Sequence, residues 1–199
     1  MVTRNAVKTG ERVSLRPLEV GDARAIAAAG HLEDDAGLLM DGRVPTSVLA
    51  FEASIRKLGQ AKVPEAVMFA ICRTGEDACI GTASIRHIDW MNRTAETGSG
   101  LLWPADRNQG LGTEAKLLLL EYAFVDLGLH VLSSFVFAGN ARSARALEKQ
   151  GYRLAGRLRA EVQRGGAFHD YLVYDVLRAD WERARAGGRD HVPSRHPTS

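Results

Sequence analysis

Arg107-Asn108-Gln109-Gly110-Leu111-Gly112 is the stretch whose residue types and spacing suit an anion. A strand-like segment, Glu96 to Trp103, precedes it and is broken by Pro104; a long apolar helix, Thr113 to Leu127, is predicted to follow. The first N–H groups of a helix have no partner within it and carry the positive end of its dipole. That end favours an anion by roughly 0.3–1 kcal/mol at an exposed site. Glycines let a phosphate approach the backbone without meeting a Cβ, and Arg107 adds a permanent charge. Two common phosphate loops are excluded. A Walker loop needs Gly-Lys-Ser/Thr, whereas Gly112 is followed by Thr113-Glu114. The dinucleotide fingerprint needs a third glycine, where Ala115 stands.

The elements that must hold this loop follow from hydrophobic period and turn residues. Glu11 to Pro17 alternates as a strand, and Gly21-Asp22 caps a short helix, Ala23 to Ala29. Residues 31–44 are polar and irregular, a loop or a broken helix; Pro45-Thr46-Ser47 then opens a helix to Leu58. Ala66 to Cys72 is almost wholly apolar, as a strand covered on both faces is. Ala78 to Ile88 and Thr94 to Trp103 follow across two turns, making an antiparallel meander. The predicted Thr113–Leu127 helix, ended by Gly128, and the strand His130 to Phe137 complete a parallel, right-handed crossover. Asn140 and Ser143 precede a helix, Ala144 to Gln150, stopped by Gly151. Tyr152 to Gln163 and Phe168 to Leu177 form a hairpin around Gly165-Gly166. The expected architecture is α+β, with a mixed, mostly antiparallel sheet in one domain, residues 1–182. The Arg/Gly/Pro-rich residues 183–199 read as a disordered tail.

Composition sets outer bounds. A chain of 199 residues with 45% apolar and 25% charged residues is that of an ordinary globular domain. A net charge of +2 is too slight an excess to argue for nucleic acid. No stretch approaches the ~20 apolar residues of a membrane span, and Met1 to Arg12 lacks the apolar run of a signal peptide. Cys72 and Cys79 read as buried thiols, too few for a zinc site, and no metal is expected. The compartment inferred is the cytoplasm.

Arg107, Gly110 and Gly112 fit the R/Q-x-x-G-x-G/A signature of the GNAT family of N-acetyltransferases. Asn140-Ala141-Arg142-Ser143 and Glu148-Lys149-Gln150-Gly151-Tyr152 resemble its N-x-x-S…E-K-x-G-F block. Arg16-Pro17-Leu18 and the closing hairpin, from Gly156-Arg157-Leu158-Arg159 to His169-Asp170, are similar to the RimJ/RimL-like branch. That branch acetylates protein N-termini and assorted small amines. The resemblance spans about residues 11 to 182. It implies a sheet splayed between the fourth and fifth predicted strands, with acetyl-CoA in the split. The pantetheine would pair with the backbone of Leu101, Leu102 and Trp103. The pyrophosphate would sit on the amides of Gln109, Gly110, Leu111, Gly112 and Thr113, beside Arg107. Asn140 would bond the pantetheine or nearby backbone; Arg142, Arg145 or Lys149 would meet the 3′-phosphate or remain solvated. A homodimer is implied by the same analogy.

The resemblance also assigns the chemistry. The amine attacks directly in a ternary complex, with a backbone N–H near Leu102 or Trp103 facing the developing oxyanion. Many members place a proton-donating Tyr where this chain has Leu147. Ser143 is the substitute donor to the leaving thiolate, or the cap of the helix it opens. Glu96 is the first candidate base, with an exposed surface charge as the alternative; Glu161 is second and His169-Asp170 third. His31 and His87 read as structural or surface residues. Two other classes stay open: a small-molecule acetyltransferase using Asp34, Asp35 and Asp41 to hold a polyamine or aminoglycoside, and a non-catalytic module that binds acetyl-CoA.

Overall fold

Along the third strand, Phe69 and Ile71 face one way and Ala70 and Cys72 the other, and all four are buried. The sheet is therefore covered on both sides at this point, as its apolar run requires. A computed structural model describes residues 3–29, 47–164 and 166–186. Its strands are β1 (Lys8–Thr9), β2 (Val13–Pro17), β3 (Val67–Arg73), β4 (Cys79–Asp89), β5 (Thr94–Leu101), β6 (Val131–Phe137), β7 (Arg153–Arg164) and β8 (Ala167–Leu177). They form one sheet of order β1-β2-β3-β4-β5-β6-β8-β7. Every neighbouring pair is antiparallel except β5 and β6. The helices are α1 (Ala23–Ala29), α2 (Val48–Leu58), α3 (Leu111–Glu121), α4 (Ala141–Lys149) and α5 (Arg178–Ala186). The expected α+β class and meander are present, with the short strand β1 added.

Helix α3 lays Leu111, Ala115, Leu118 and Leu119 against Val13, Leu15, Phe69 and Ile71; Ala25, Ile26 and Ala29 of α1 pack on Ala70 and Cys72. Each aliphatic side chain so buried contributes about 1.5–3 kcal/mol. Cys72 and Cys79 face each other in the β3–β4 register, unbridged and buried. Burial pushes the Cys79 thiol up to about 12.

Several boundaries differ from expectation. Helix α3 starts at Leu111, two residues early, because Gly110 takes the left-handed conformation (φ 78°) that turns the chain straight into the helix. Its last turn passes into a π-helical segment, Tyr122–Asp126, before Gly128. Helix α4 starts at Ala141, three residues early. The Asn140 side chain accepts the Ser143 N–H at 3.0 Å, so Asn140 is the cap and Ser143 is not. Helix α5 runs to Ala186, four residues past the boundary drawn at 182, anchored by Trp181 against Phe124 with ring centroids 5.3 Å apart. The expectations for residues 31–44 (His31, Asp34, Asp35 and Asp41 included), for Gly165 and for residues 187–199 lie outside the described residues.

Candidate active site

β5 and β6 pair over only three residues: Thr94 with Val131, Ala95 with Leu132, Glu96 with Ser133. Past Glu96 the strands part, at the junction where the splay was expected. The apex of the gap is sealed by side chains. Thr97 Oγ1 donates to Ser133 O (3.1 Å), and Ser134 Oγ donates to Thr97 O (2.9 Å). At the other end Arg107 Nη2 donates to Leu101 O (3.2 Å). Since Thr97 and Leu101 turn their carbonyls into the gap, the period of two puts the Ser99 backbone groups there as well. The cleft has a volume of about 880 Å³. One wall is β5 and the other the ends of β6 and the first turns of α4; the start of α3 closes it.

Of the residues expected to hold a coenzyme, Leu101, Arg107, Gly110, Gly112, Thr113, Asn140, Ser143 and Arg145 line this cleft, with Arg142 and Lys149. A Cβ built on Gly112 would meet nothing closer than Leu101 Cδ1 at 3.7 Å, so the helix start is open to a ligand. Arg107 is held below the usual arginine range by burial, then by the like charge of Arg142. Two guanidiniums gathered beside helix amides are suited to a phosphate.

Leu102, Trp103, Gln109 and Leu111 are not among the lining residues. The Leu102 N–H donates to Ile80 O (2.9 Å), which takes it to the β4 side, so it cannot face an oxyanion in the gap. Gln109 turns its amide to Ala105 O (2.6 Å), and its carbonyl accepts from Arg12 Nη1 (2.7 Å). The Leu111 side chain is buried in the core, and Trp103 begins the 3₁₀ turn at Pro104–Asp106.

Glu96 does reach the cleft, at the apex. Its two oxygens are engaged, one by Arg86 Nη2 (2.5 Å) and the other by His87 Nδ1 (3.1 Å). His87 is exposed and sits at φ 49°, in an irregular stretch of the β4–β5 register. Glu161, His169 and Asp170 do not line the cleft. Glu161 is exposed within the irregular β7 register between Leu158 and Val162. Asp170 accepts from Ala160 N (2.8 Å) and Arg157 Nε (2.5 Å), which hold its carboxyl below the usual range. The His169 ring stands edge-on to Phe137. Leu147 is buried in the core.

The sequence reading missed Lys116. It lies on α3 at 2% exposure, yet it is among the residues that line the cleft. Nζ donates to Thr97 Oγ1 (2.8 Å) and lies 5.3 Å from the centroid of the Tyr152 ring. The Tyr152 hydroxyl is bonded to the same Thr97 oxygen at 2.6 Å. Burial pushes the Lys116 ammonium down to about 7; Glu96 pulls it back up and Arg86 pushes it further down. The available signal was a lone lysine inside the run Ala115 to Leu120.

Residues 12–153 match the family model described as an acetyltransferase (GNAT) domain. "Probable N-acetyltransferase YjcK" of Bacillus subtilis (strain 168) is 31% identical over 188 residues, covering 87% of this chain and 98% of that protein. "Putative ribosomal N-acetyltransferase YdaF" of the same organism is 33% identical over 104 residues, 51% of this chain and 55% of that protein. Among solved structures, a chimera of the spermidine N-acetyltransferase SpeG from Vibrio cholerae and hSSAT aligns with a TM-score of 0.77 at 22% identity, covering 86% of this chain and 99% of that one. Mycobacterium smegmatis RimJ in complex with CoA-disulfide aligns at 0.74 and 24% identity, covering 89% and 90%.

Proposed function

The chain belongs to the GNAT acetyltransferase family and is an acyl-CoA-dependent N-acetyltransferase, and on that premise we propose that its acceptor is the α-amine of a protein or peptide N-terminus. Acetyl-CoA supplies the acetyl group as an activated thioester. The cleft suits that ligand in three respects: a parted strand edge, an uncovered helix start and a cluster of cations. In this reading the backbone of Ser99 and Leu101 pairs with the pantetheine. Amides of Gly112 and Thr113, with Arg107, take the pyrophosphate, and Arg142, Arg145 and Lys149 face the 3′-phosphate. Asn140 fixes the first turn of α4 so that the Ser143 hydroxyl can hydrogen-bond the departing sulfur. Glu96, its carboxylate shared between Arg86 and His87, draws the acceptor to the apex by charge.

One observation carries the choice of acceptor. Glu96 is the only carboxylate among the described residues lining the cleft, and it is already engaged by two basic side chains. A polyamine brings several positive charges and would meet the guanidinium of Arg86. A peptide N-terminus brings one, with a pKa of about 7.7–8.0 that leaves much of it neutral near pH 8. The relative named as a ribosomal N-acetyltransferase supports the same reading. Thiol release from acetyl-CoA tests it, with unblocked peptides set against spermidine and an aminoglycoside. Turnover with peptides, abolished by blocking their N-termini, is expected; faster turnover of spermidine would overturn it. A cytoplasmic homodimer completes the reading, supported by the exposed apolar residues Leu154, Leu158 and Phe168 on the β7–β8 hairpin.

A further inference from the structure

An amine enclosed in a protein core has lost its water, and the loss is severe unless a carboxylate replaces it. Lys116 has no such replacement. Among the described residues its contacts are the Thr97 hydroxyl and the Tyr152 ring, with no ion pair. The charges acting on it, Glu96 from β5 and Arg86 from β4, push in opposite directions and are bonded to each other. A packing role alone would be better served by Leu, which α3 uses at positions 117–120.

The location gives the amine another use. Thr97 is the first residue past the last β5–β6 pair, so Lys116 is fastened at the apex of the gap. A ligand laid along β5 from Leu101 toward Gly98 as an added strand ends at this apex. We propose that Lys116 is the proton acceptor of the transfer step, with Thr97 and Tyr152 holding its amine at the floor of the cleft. The protons and electron pairs balance as follows. The acceptor amine enters neutral, having released one proton to solvent. As its nitrogen forms the C–N bond to the acetyl carbon and the C–S bond breaks, its second proton passes to the neutral Lys116 amine. The electron pair leaves on sulfur, and Lys116 returns the proton to that thiolate, so the amine ends the cycle neutral. A group titrating near neutrality is matched to both transfers, since it takes a proton readily and gives it up readily.

The proposal rests on the acetyltransferase assignment and holds whichever amine is the acceptor. Its test uses Lys116→Met and Lys116→Arg in the full-length protein. With an amine that is turned over, wild-type kcat should fall on the acid side along a limb centred near pH 7. Both variants should lose about 10²–10⁴-fold at pH 7, and Lys116→Met should lose the limb while keeping its affinity for CoA by calorimetry. A second measurement needs no acceptor. In protein labelled with ¹³C-lysine and saturated with CoA, the resonance missing from Lys116→Met should titrate between pH 6 and 8. Wild-type turnover with the limb intact in folded Lys116→Met would overturn the proposal. So would a Lys116 resonance that keeps one protonation state from pH 5 to 9. If no peptide is turned over, the acceptor reading above fails, and the resonance still decides this one.

Discussion

At Lys116 the cost of burial can be read separately from catalysis. Its folded value near 7 lies below the ordinary lysine value of 10.5 carried by the unfolded chain. Between those values the unfolded chain binds the proton and the native protein does not, so stability rises with pH across that interval. Below about pH 7 both states are protonated and the full penalty remains. Lys116→Met should therefore raise the melting temperature most at pH 7 and below, by the equivalent of a few kcal/mol, with the gain fading towards pH 10.5. Calorimetric melts across pH 6–10 check this; a variant less stable than wild type at pH 6 would contradict it. Glu96 gives a second prediction. Its charge raises the Lys116 value, so Glu96→Gln should move the acid limb of kcat to lower pH and raise KM for a cationic acceptor. Ser143→Ala, acting on the sulfur, should lower kcat and leave the limb in place. pH–rate profiles of the two variants distinguish these roles.

At the scale of elements, α3 holds the site and the N-terminal edge of the sheet together. Glu114 is 2% exposed. One of its oxygens accepts from Arg12 N (2.8 Å) and Val13 N (3.3 Å), the other from Arg12 Nε (2.9 Å), and Arg12 reaches on to Gln109 O. Glu114→Ala strands a buried amide and unties the coenzyme loop from β2. A loss of about 1–3 kcal/mol is expected from the stranded amide, since the half-exposed Arg12 regains water, together with weaker CoA binding; urea unfolding and calorimetry check both. Much of this scale was legible in the sequence. The apolar run 66–72 announced a strand covered on both faces, and strand-loop-helix-strand over 94–137 announced the parallel junction. The errors have local causes. Leu111 and Gly112 were read as loop because the left-handed φ of Gly110, which starts the helix there, is not written in a glycine's identity. Ser143 drew the start of α4 inward because two residues that both favour caps stand three apart, and only geometry shows which side chain takes the amide. Lys116 was invisible, since a lysine in a leucine-rich helix reads as its solvated edge until the packing shows which face it occupies.

For the whole molecule, family and fold came from two short blocks, 107–112 and 140–152, set at the right distance. Assembly was not legible this way, because an exposed side chain has no period of its own. Leu154, Leu158 and Phe168 on the closing hairpin are apolar and exposed, which supports the homodimer. Light scattering at micromolar concentration should give about twice the formula mass of 21.6 kDa. A mass matching one chain would remove that part of the proposal.

Three paired residues, Thr94 to Glu96 with Val131 to Ser133, join the two halves of the eight-stranded sheet by backbone bonds. The ladder is thus unfinished at its middle, and a strand-like ligand would supply the missing rungs. Rigidity then becomes a property shared between the polypeptide and a metabolite. Binding to the folded state alone adds RT ln(1 + [L]/Kd), about 2.7 kcal/mol at a hundredfold excess over Kd. That gain should be concentrated along the seam. Amide hydrogens of Ser99 and Leu101 should exchange rapidly in the free protein and slow sharply with CoA, while those of Phe69 and Ile71 in β3 change little. Uniform slowing across the sheet would mean that the halves already move as one. Slowing confined to the seam would mean that the supply of coenzyme sets how stiff this protein is.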